Sequence, residues 1–436
     1  MRHLHAESRG LVGIRTALTQ PPAPVIASGV SLENGTDQAK LTFEVTQPVA
    51  AMSFVLASPD RIVIDVPEID FHIDPQVGGA KPVHDRPGRP RVSGLIASFR
   101  FGLFAPGKSR IVIDLAAPAR VVRAEAEPDV DTTKSRLVVE LAKTDDAAFQ
   151  AAAHDAVQAA ETAAKEAERA APVKDLAEKN PNLPLIVIDP GHGGVDSGAI
   201  VNGLVEKNIV FDFAKALQGK LAASGHYKVV MTRDSDVFLS LGERVRIAQD
   251  SGAALFVSIH ADTIYDAASV SGATVYTLAD HATDAEAERT AEKENQADAV
   301  AGVAGNEKAN GVSDILADLT RQETRAYSHV FARTLVNYWR VAGRLNKNPE
   351  RAAGFRVLKA PDVPSVLIEL GYLSNAQDAA SLLSPEWRDA TSSKLAAAID
   401  AFFAVRGTNF GAQSPAQPAA TEAATALEAP PPSEAK

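Results

Sequence analysis

The feature that most restricts the fold is a regular alternation of apolar, strand-length runs with helix-length segments between residues 183 and 407. Leu185-Ile-Val-Ile-Asp189 is followed by a helical stretch at about 205–224. Tyr227-Lys-Val-Val-Met231, a second helical stretch at about 241–250 and Ala254-Leu-Phe-Val-Ser-Ile259 come next. That order implies an α/β domain with a largely parallel sheet. Further strands are expected at 273–278, 355–358 and 365–370, with helices over roughly 280–341 and a closing helix near 386–405. The 280–341 connection is long for such a fold, and long insertions tend to be functional or mobile.

Residues 25–141 follow a different rule. Short alternating strands dominate, and one pattern recurs as Arg61-Ile-Val-Ile-Asp-Val66, Arg110-Ile-Val-Ile-Asp-Leu115 and Arg136-Leu-Val-Val-Glu-Leu141. With a period of two, Arg61, Val63 and Asp65 share one face and Ile62, Ile64 and Val66 the other, as expected of half-buried antiparallel strands in a β-sandwich. Glu33-Asn-Gly-Thr36 supplies a turn, and Gly78-Gly79 with Pro82, Pro87 and Pro90 marks an irregular loop. Between 145 and 181 the composition shifts to Ala, Glu, Lys and Gln, which reads as a helical, solvated linker ended by Pro172 and Pro181. The expected organisation is therefore multidomain: an extension (1–23), an all-β sandwich (24–145), a linker (146–182), an α/β catalytic domain (183–407) with an inserted helical region at about 279–325, and a disordered Ala/Pro-rich tail (408–436).

Composition removes several function classes. Lys and Arg number 44 against 55 Asp and Glu, a formal charge of −11, so the broad basic field of a nucleic-acid binder is missing and no nucleic-acid partner is expected. The chain has no Cys. Thiol nucleophiles and Cys-based zinc sites are thus excluded, and a metal site must use His, Asp or Glu. No apolar run reaches the roughly 20 residues of a transmembrane helix. Residues 1–10 lack the apolar region of a secretory signal, so an exported form needs a signal outside this chain.

The chemistry concentrates at strand ends. Leu185–Asp189 runs into Pro190-Gly-His-Gly-Gly-Val-Asp-Ser-Gly198, and His260 follows a second apolar strand. In open α/β sheets ligands gather at the carboxyl ends of strands, so both imidazoles can share one crevice. Either histidine alone is more often a hydrogen-bonded loop residue than a ligand. Glu206, at a helix start, is either a carboxylate stabilised by the helix dipole or the third member of a His2Glu zinc set. Glu369, inside Val366-Leu-Ile-Glu-Leu-Gly-Tyr-Leu373, either faces solvent or lies in a functional cleft. No Gly-X-Ser-X-Gly elbow accompanies a base, which disfavours serine catalysis.

Ile188-Asp-Pro-Gly-His-Gly-Gly194, Glu206, Thr232-Arg-Asp234, Leu241 with Arg244, Ser258-Ile-His-Ala261 and Val366-Leu-Ile-Glu-Leu-Gly-Tyr-Leu-Ser-Asn375 together resemble the zinc-dependent N-acetylmuramoyl-L-alanine amidases of bacterial cell separation. The resemblance implies one Zn2+ held by His192, Glu206 and His260, with Glu369 as the catalytic glutamate. The implied reaction is hydrolysis of the amide between N-acetylmuramic acid and L-alanine in peptidoglycan, splitting septal wall in the periplasm. Domain order and Arg100-Phe-Gly-Leu-Phe104 make the β domain similar to the AMIN module of such enzymes. A zinc peptidase or deacetylase on the same scaffold, and a non-catalytic peptidoglycan-binding protein, are the rival readings.

Within the insertion, Thr283 and Glu286 read as a capping box starting a helix with Glu286, Glu288, Glu292 and Glu294 on successive turns. The related amidases often carry a helix here that covers the site until an activator binds, a partner that resembles a LytM-type zinc peptidase without its metal. Glu294 is the first candidate for a carboxylate plugging the zinc and Glu292 the second. A solvated charged helix is the alternative.

Overall fold

The computed structural model describes residues 24–79, 94–128, 134–170, 183–264, 269–303 and 315–410. The N-terminal extension, the Pro82 to Pro90 loop, the last part of the linker and nearly all of the Ala/Pro-rich tail lie outside the described residues.

The first unit contains β1 (Val25–Asn34), β2 (Gln38–Val45), β3 (Met52–Leu56), β4 (Arg61–Pro67), β5 (Ile69–Phe71), β6 (Ile96–Ala105), β7 (Lys108–Leu115), β8 (Ala119–Pro128) and β9 (Ser135–Lys143). They form two sheets, β5-β1-β2-β9-β8 and β3-β4-β7-β6, all antiparallel apart from the β1–β5 pair. The repeated pattern occupies β4, β7 and β9. Alternation turns Ile62, Ile64, Ile111, Ile113, Leu137 and Val139 into the sandwich core, around Leu41 and Phe43.

Two expectations change here. β4 is not half-buried: residues Arg61 to Val66 are all buried, because the second unit covers the outer face of its sheet. Val112 of that face packs with Val195, Phe238 and Ala301. Nor is the linker only a solvated spacer. It begins as α1 (Asp146–Ala170), and Phe149 with Ala153, one helical turn apart, joins the sandwich core.

The second unit contains β10 (Leu185–Pro190), the short hairpin β11 (Ile200–Val201) and β12 (Leu204–Val205), α2 (Glu206–Ser224), β13 (Lys228–Met231), α3 (Leu241–Asp250), β14 (Leu255–His260) and β15 (Ala273–Leu278). It continues with α4 (Ala285–Glu294), α5 (Ala297–Val300), α6 (Ile315–Trp339), β16 (Leu345–Ala353), β17 (Ser365–Glu369), α7 (Ala376–Leu383) and α8 (Pro385–Phe410). The main sheet has the order β13-β10-β14-β17-β15-β16 and is parallel except between β15 and β17. Ile186, Ile188, Val257, Ile259, Val366 and Ile368 face α2, α6 and α8, and the alternate residues Val187, Phe256, Tyr276 and Leu367 face α3 and α4. The strands are apolar throughout because both faces are covered.

Residues 355–358, expected as a strand, are the 3-10 turn Arg356–Leu358 preceded by Phe355. The edge strand is instead β16, whose Leu-Asn-Lys-Asn-Pro-Glu-Arg-Ala-Ala sequence carries no apolar alternation. An edge strand pairs on one side only, so polar residues and a proline are tolerated there.

Candidate metal centre

Adjacent strand ends assemble the site. β10 leads into the loop carrying His192, β14 ends on His260, and the β14–β17 register sets His260 directly opposite Glu369. His192 adopts φ +57°, and the loop closes against the second strand end: a Cβ at Gly191 would lie 2.5 Å from His260 Nε2. Gly198 is equally constrained, since a Cβ there would lie 2.7 Å from Glu206 Oε2. Glycine is required at both positions by close approach.

A buried polar frame holds this geometry. Asp189 accepts hydrogen bonds from Thr232 Oγ1 (2.6 Å), Ser258 Oγ (2.7 Å) and Arg244 Nη1 (2.7 Å), and Arg244 Nη2 donates to the His192 carbonyl (2.8 Å). Burial would raise the Asp189 pKa, but Arg244 and the two hydroxyls outweigh it and hold the carboxyl below its ordinary value. Asp196, four residues beyond His192, bonds to His192 Nδ1 at 2.9 Å and thereby aims Nε2 inward.

His192 Nε2 and His260 Nδ1 converge on Glu206. Glu206 Oε1 lies 3.1 Å from the former and 3.4 Å from the latter, while its two oxygens accept the Ala261 and Ala199 N–H groups at 2.9 and 2.8 Å. Glu206 is completely buried, so solvent does not satisfy this carboxylate at the start of α2. Among the described residues neither imidazole nitrogen has a hydrogen-bond partner, although both are buried. Orphaned ring nitrogens beside a carboxylate are what a metal-binding donor set looks like, and two imidazoles with one carboxylate suit zinc. Excess negative charge is evident: burial opposes a charge on His260, yet Glu294 and Glu206 push it up to about 10.

Glu294 is the last residue of α4. Its Oε2 lies 3.1 Å from His260 Nδ1 and 3.6 Å from His192 Nε2, and His192, His260 and Glu294 form a group able to hold a metal ion. Glu292 is exposed and faces away. The helix starts one residue later than the expected capping box: Asp284, not Thr283, is the N-cap, accepting from the N–H groups of Glu286 and Ala287. Asp284 wins because its carboxylate is also held by Arg351 Nη1 at 2.9 Å. Lys293 Nζ is paired with Asp262, whose N–H donates to Glu369 Oε2 at 2.9 Å. The Glu369 carboxyl is pushed up to about 8 by burial, with Glu206 and Glu294 adding to it against the pull of His260.

The β domain reaches this region, which no motif in the sequence announced. Arg110, paired with Asp65, donates to the carbonyls of Ala301 and Gly302 at 3.1 Å each, and Arg100 Nε donates to Val300 at 2.5 Å. Phe104 stacks on Phe238 at 5.6 Å between centroids. Asp196, Arg244 and Asp262 also carry parts of the site that sequence reasoning did not assign. The i,i+4 spacing of His192 and Asp196 was a usable signal for the first, and the place of Arg244 in the resemblance for the second.

Residues 186–401 match the family model described as N-acetylmuramoyl-L-alanine amidase, and residues 29–141 match the AMIN domain. The chain is 33% identical over 375 residues to N-acetylmuramoyl-L-alanine amidase AmiC of Neisseria meningitidis serogroup B, covering 83% of this chain and 86% of that one. AmiC of Escherichia coli O6:H1 is 30% identical over 377 residues, covering 84% and 86% respectively. AmiA of Escherichia coli K12 is 34% identical over 232 residues, covering 53% and 80%.

Proposed function

Because the chain belongs to the N-acetylmuramoyl-L-alanine amidase family, we propose that it cuts septal peptidoglycan in the periplasm from a resting state in which α4 blocks its metal centre. The enzyme class is that of a hydrolase, peptidoglycan is the substrate, and the family is generally zinc-dependent. Among the described residues no helix is long and apolar enough to cross a membrane. The AMIN match and the similarity to AmiC proteins support an envelope location. We assign 24–145 to the AMIN-like domain, 183–407 to the catalytic domain and about 279–325 to its regulatory insertion.

In this reading His192, Glu206 and His260 hold one zinc. The bound ion would supply Lewis acidity toward the scissile carbonyl and a nucleophilic water at neutral pH. Glu369, directly across from His260, takes the proton of the attacking water and delivers it to the departing L-alanine nitrogen. Its Oε2 is held by the Asp262 N–H, and its Oε1 has no hydrogen-bond partner among the described residues, which leaves a lone pair for that transfer. Arg244 and Asp189 fix the loop carrying His192 and touch no reacting atom.

The observation that carries the resting state is the Glu294 carboxylate beside both orphaned imidazole nitrogens. It occupies the space that attacking water requires, and α4 is tied down at both ends. Arg351 holds Asp284 and Glu286, and the Asn295 side chain bridges Gly354 and Arg356. An activator, for which a LytM-type degenerate zinc peptidase is the candidate, must bind the open state better than the closed one. Mass spectrometry of digested sacculi tests the activity: separated glycan and intact L-Ala stem peptides are expected, and peptides cut internally would refute it.

A further inference from the structure

A cavity of about 570 Å³ lies between the β-sandwich and the catalytic unit, within the range of roughly 300–1,000 Å³ usual for ligand sites. Its β-domain wall includes Arg61, Ser98 and Arg100, and its opposite wall includes His192, Ser197 and Ala297. The sheet wall and the His192-loop wall are fixed against each other by packing: the Val195 N–H donates to the Leu103 carbonyl at 3.2 Å, and Phe104 lies against Phe238, whereas Lys293 to Val300 on the lining belong to the regulatory insertion. A molecule in this space therefore touches the sheet of the first unit and the His192 loop of the second.

Arg61 distinguishes the cavity from an ordinary gap between domains. The residue is 4% exposed, its Nε donates to the Pro59 carbonyl at 3.1 Å, and its Nη1 is buried without a hydrogen-bond partner among the described residues. The nearest acid does not relieve it. Asp114 is taken by Arg100, whose Nη1 and Nη2 donate to it at 2.6 and 3.2 Å, and by Ser98. Lys293, also on the lining, is committed to Asp262. Burial and the neighbouring Arg100 press the Arg61 guanidinium down to about 10 against the pull of Asp114, so it remains charged at neutral pH. A buried charged donor with an unpartnered N–H is costly unless an acceptor completes it, and a planar guanidinium is best completed by a carboxylate.

We propose that this cavity is a substrate subsite in which Arg61 of the β domain binds a carboxylate of the stem peptide, so that the AMIN-like domain supplies part of the catalytic cleft. The inference rests on the amidase reading above. Stem peptides carry free carboxylates, and the scissile amide joins that peptide to the sugar, so a peptide anchored at Arg61 extends toward the His192 loop. Asp60 lines the same wall. The β domain then discriminates among peptides by charge as well as localising the enzyme.

Calorimetric titration of the full-length chain with free stem tetrapeptide, a product that it cannot cut, tests the proposal. The wild-type chain should bind this peptide at least about 10-fold more tightly than the same peptide with its carboxylates amidated. Arg61→Gln should erase the difference, and Arg61→Lys should retain part of it. Equal affinity of the wild-type chain for both peptides would overturn the proposal without any appeal to a variant's folding, and so would unchanged preference in a folded Arg61→Gln chain. Sacculus digestion run in parallel separates the two levels. Cleavage of the sugar–alanine amide with no carboxylate preference sinks the subsite alone, whereas cleavage of another bond sinks the reading beneath it.

Discussion

Replacing Glu294 by alanine should convert the resting enzyme into a constitutively active one. The Glu294 side chain is 4% exposed and lies 3.1 Å from His260 Nδ1 and 3.6 Å from His192 Nε2. Removing one member of a buried charge pair costs about 3–5 kcal/mol. The other fastenings of α4, Lys293 to Asp262, Arg351 to Asp284 and Glu286, and the β-domain arginines on residues 300 to 302, survive the substitution. The lower figure therefore applies, and at 1.4 kcal/mol per factor of ten the open-to-closed ratio rises by roughly 100-fold. Basal release of muropeptides from purified sacculi, measured without activator on zinc-loaded protein, should rise by about that factor or until the open state saturates. Glu294→Gln keeps the shape but not the charge and should fall between. A basal rate within about twofold of wild type, in a Glu294→Ala chain with unchanged melting temperature and metal content, would refute the reasoning.

His192→Ala and His260→Ala should each lose the single zinc, and inductively coupled plasma mass spectrometry showing undiminished metal in both would remove the ligand assignment. Glu369→Gln should keep the metal while hydrolysis falls roughly 100-fold or more, which metal analysis and turnover on the same sample decide. Glu369 acts as a base only when ionised, so the rate should rise with pH toward its value of about 8. A rising limb that survives unchanged in Glu369→Gln counts against Glu369 as the base. Asp189 is depressed below its ordinary 3.8, so its stabilisation is complete above that pH and is lost as pH falls through the folded-state value. Acid titration of thermal stability should show this loss in the wild-type chain and not in Asp189→Asn, which should be less stable at pH 7 by about 3 kcal/mol or more.

Much of the catalytic half was legible because its strands are buried on both faces and so consist of uninterrupted apolar residues. His192, His260 and Glu369 stand out at or near the ends of such runs, where a polar residue has to be explained. The α3 and β15 limits could be read directly from periodicity. β16 could not, since an edge strand needs backbone pairing on one side only and leaves no apolar signature. The choice of Asp284 over Thr283 as the cap depended on Arg351, 67 residues away.

Local sequence determined which residues sit at strand ends, since the period of the side chains is a property of short segments, whereas the close approach that requires glycine at 191 is to His260 on another strand. Only the tertiary structure decided that Glu294 and not Glu292 meets the two imidazoles, because the two acids are chemically alike and differ only in which side of α4 faces the cleft. It also decided that Phe149 belongs to the sandwich and that Arg61, Arg100 and Arg110 face the catalytic unit. Alternation assigns a residue to a face of its strand, but what covers that face is settled by contacts between segments up to 200 residues apart. Burial by a distant partner leaves no periodic trace in either segment.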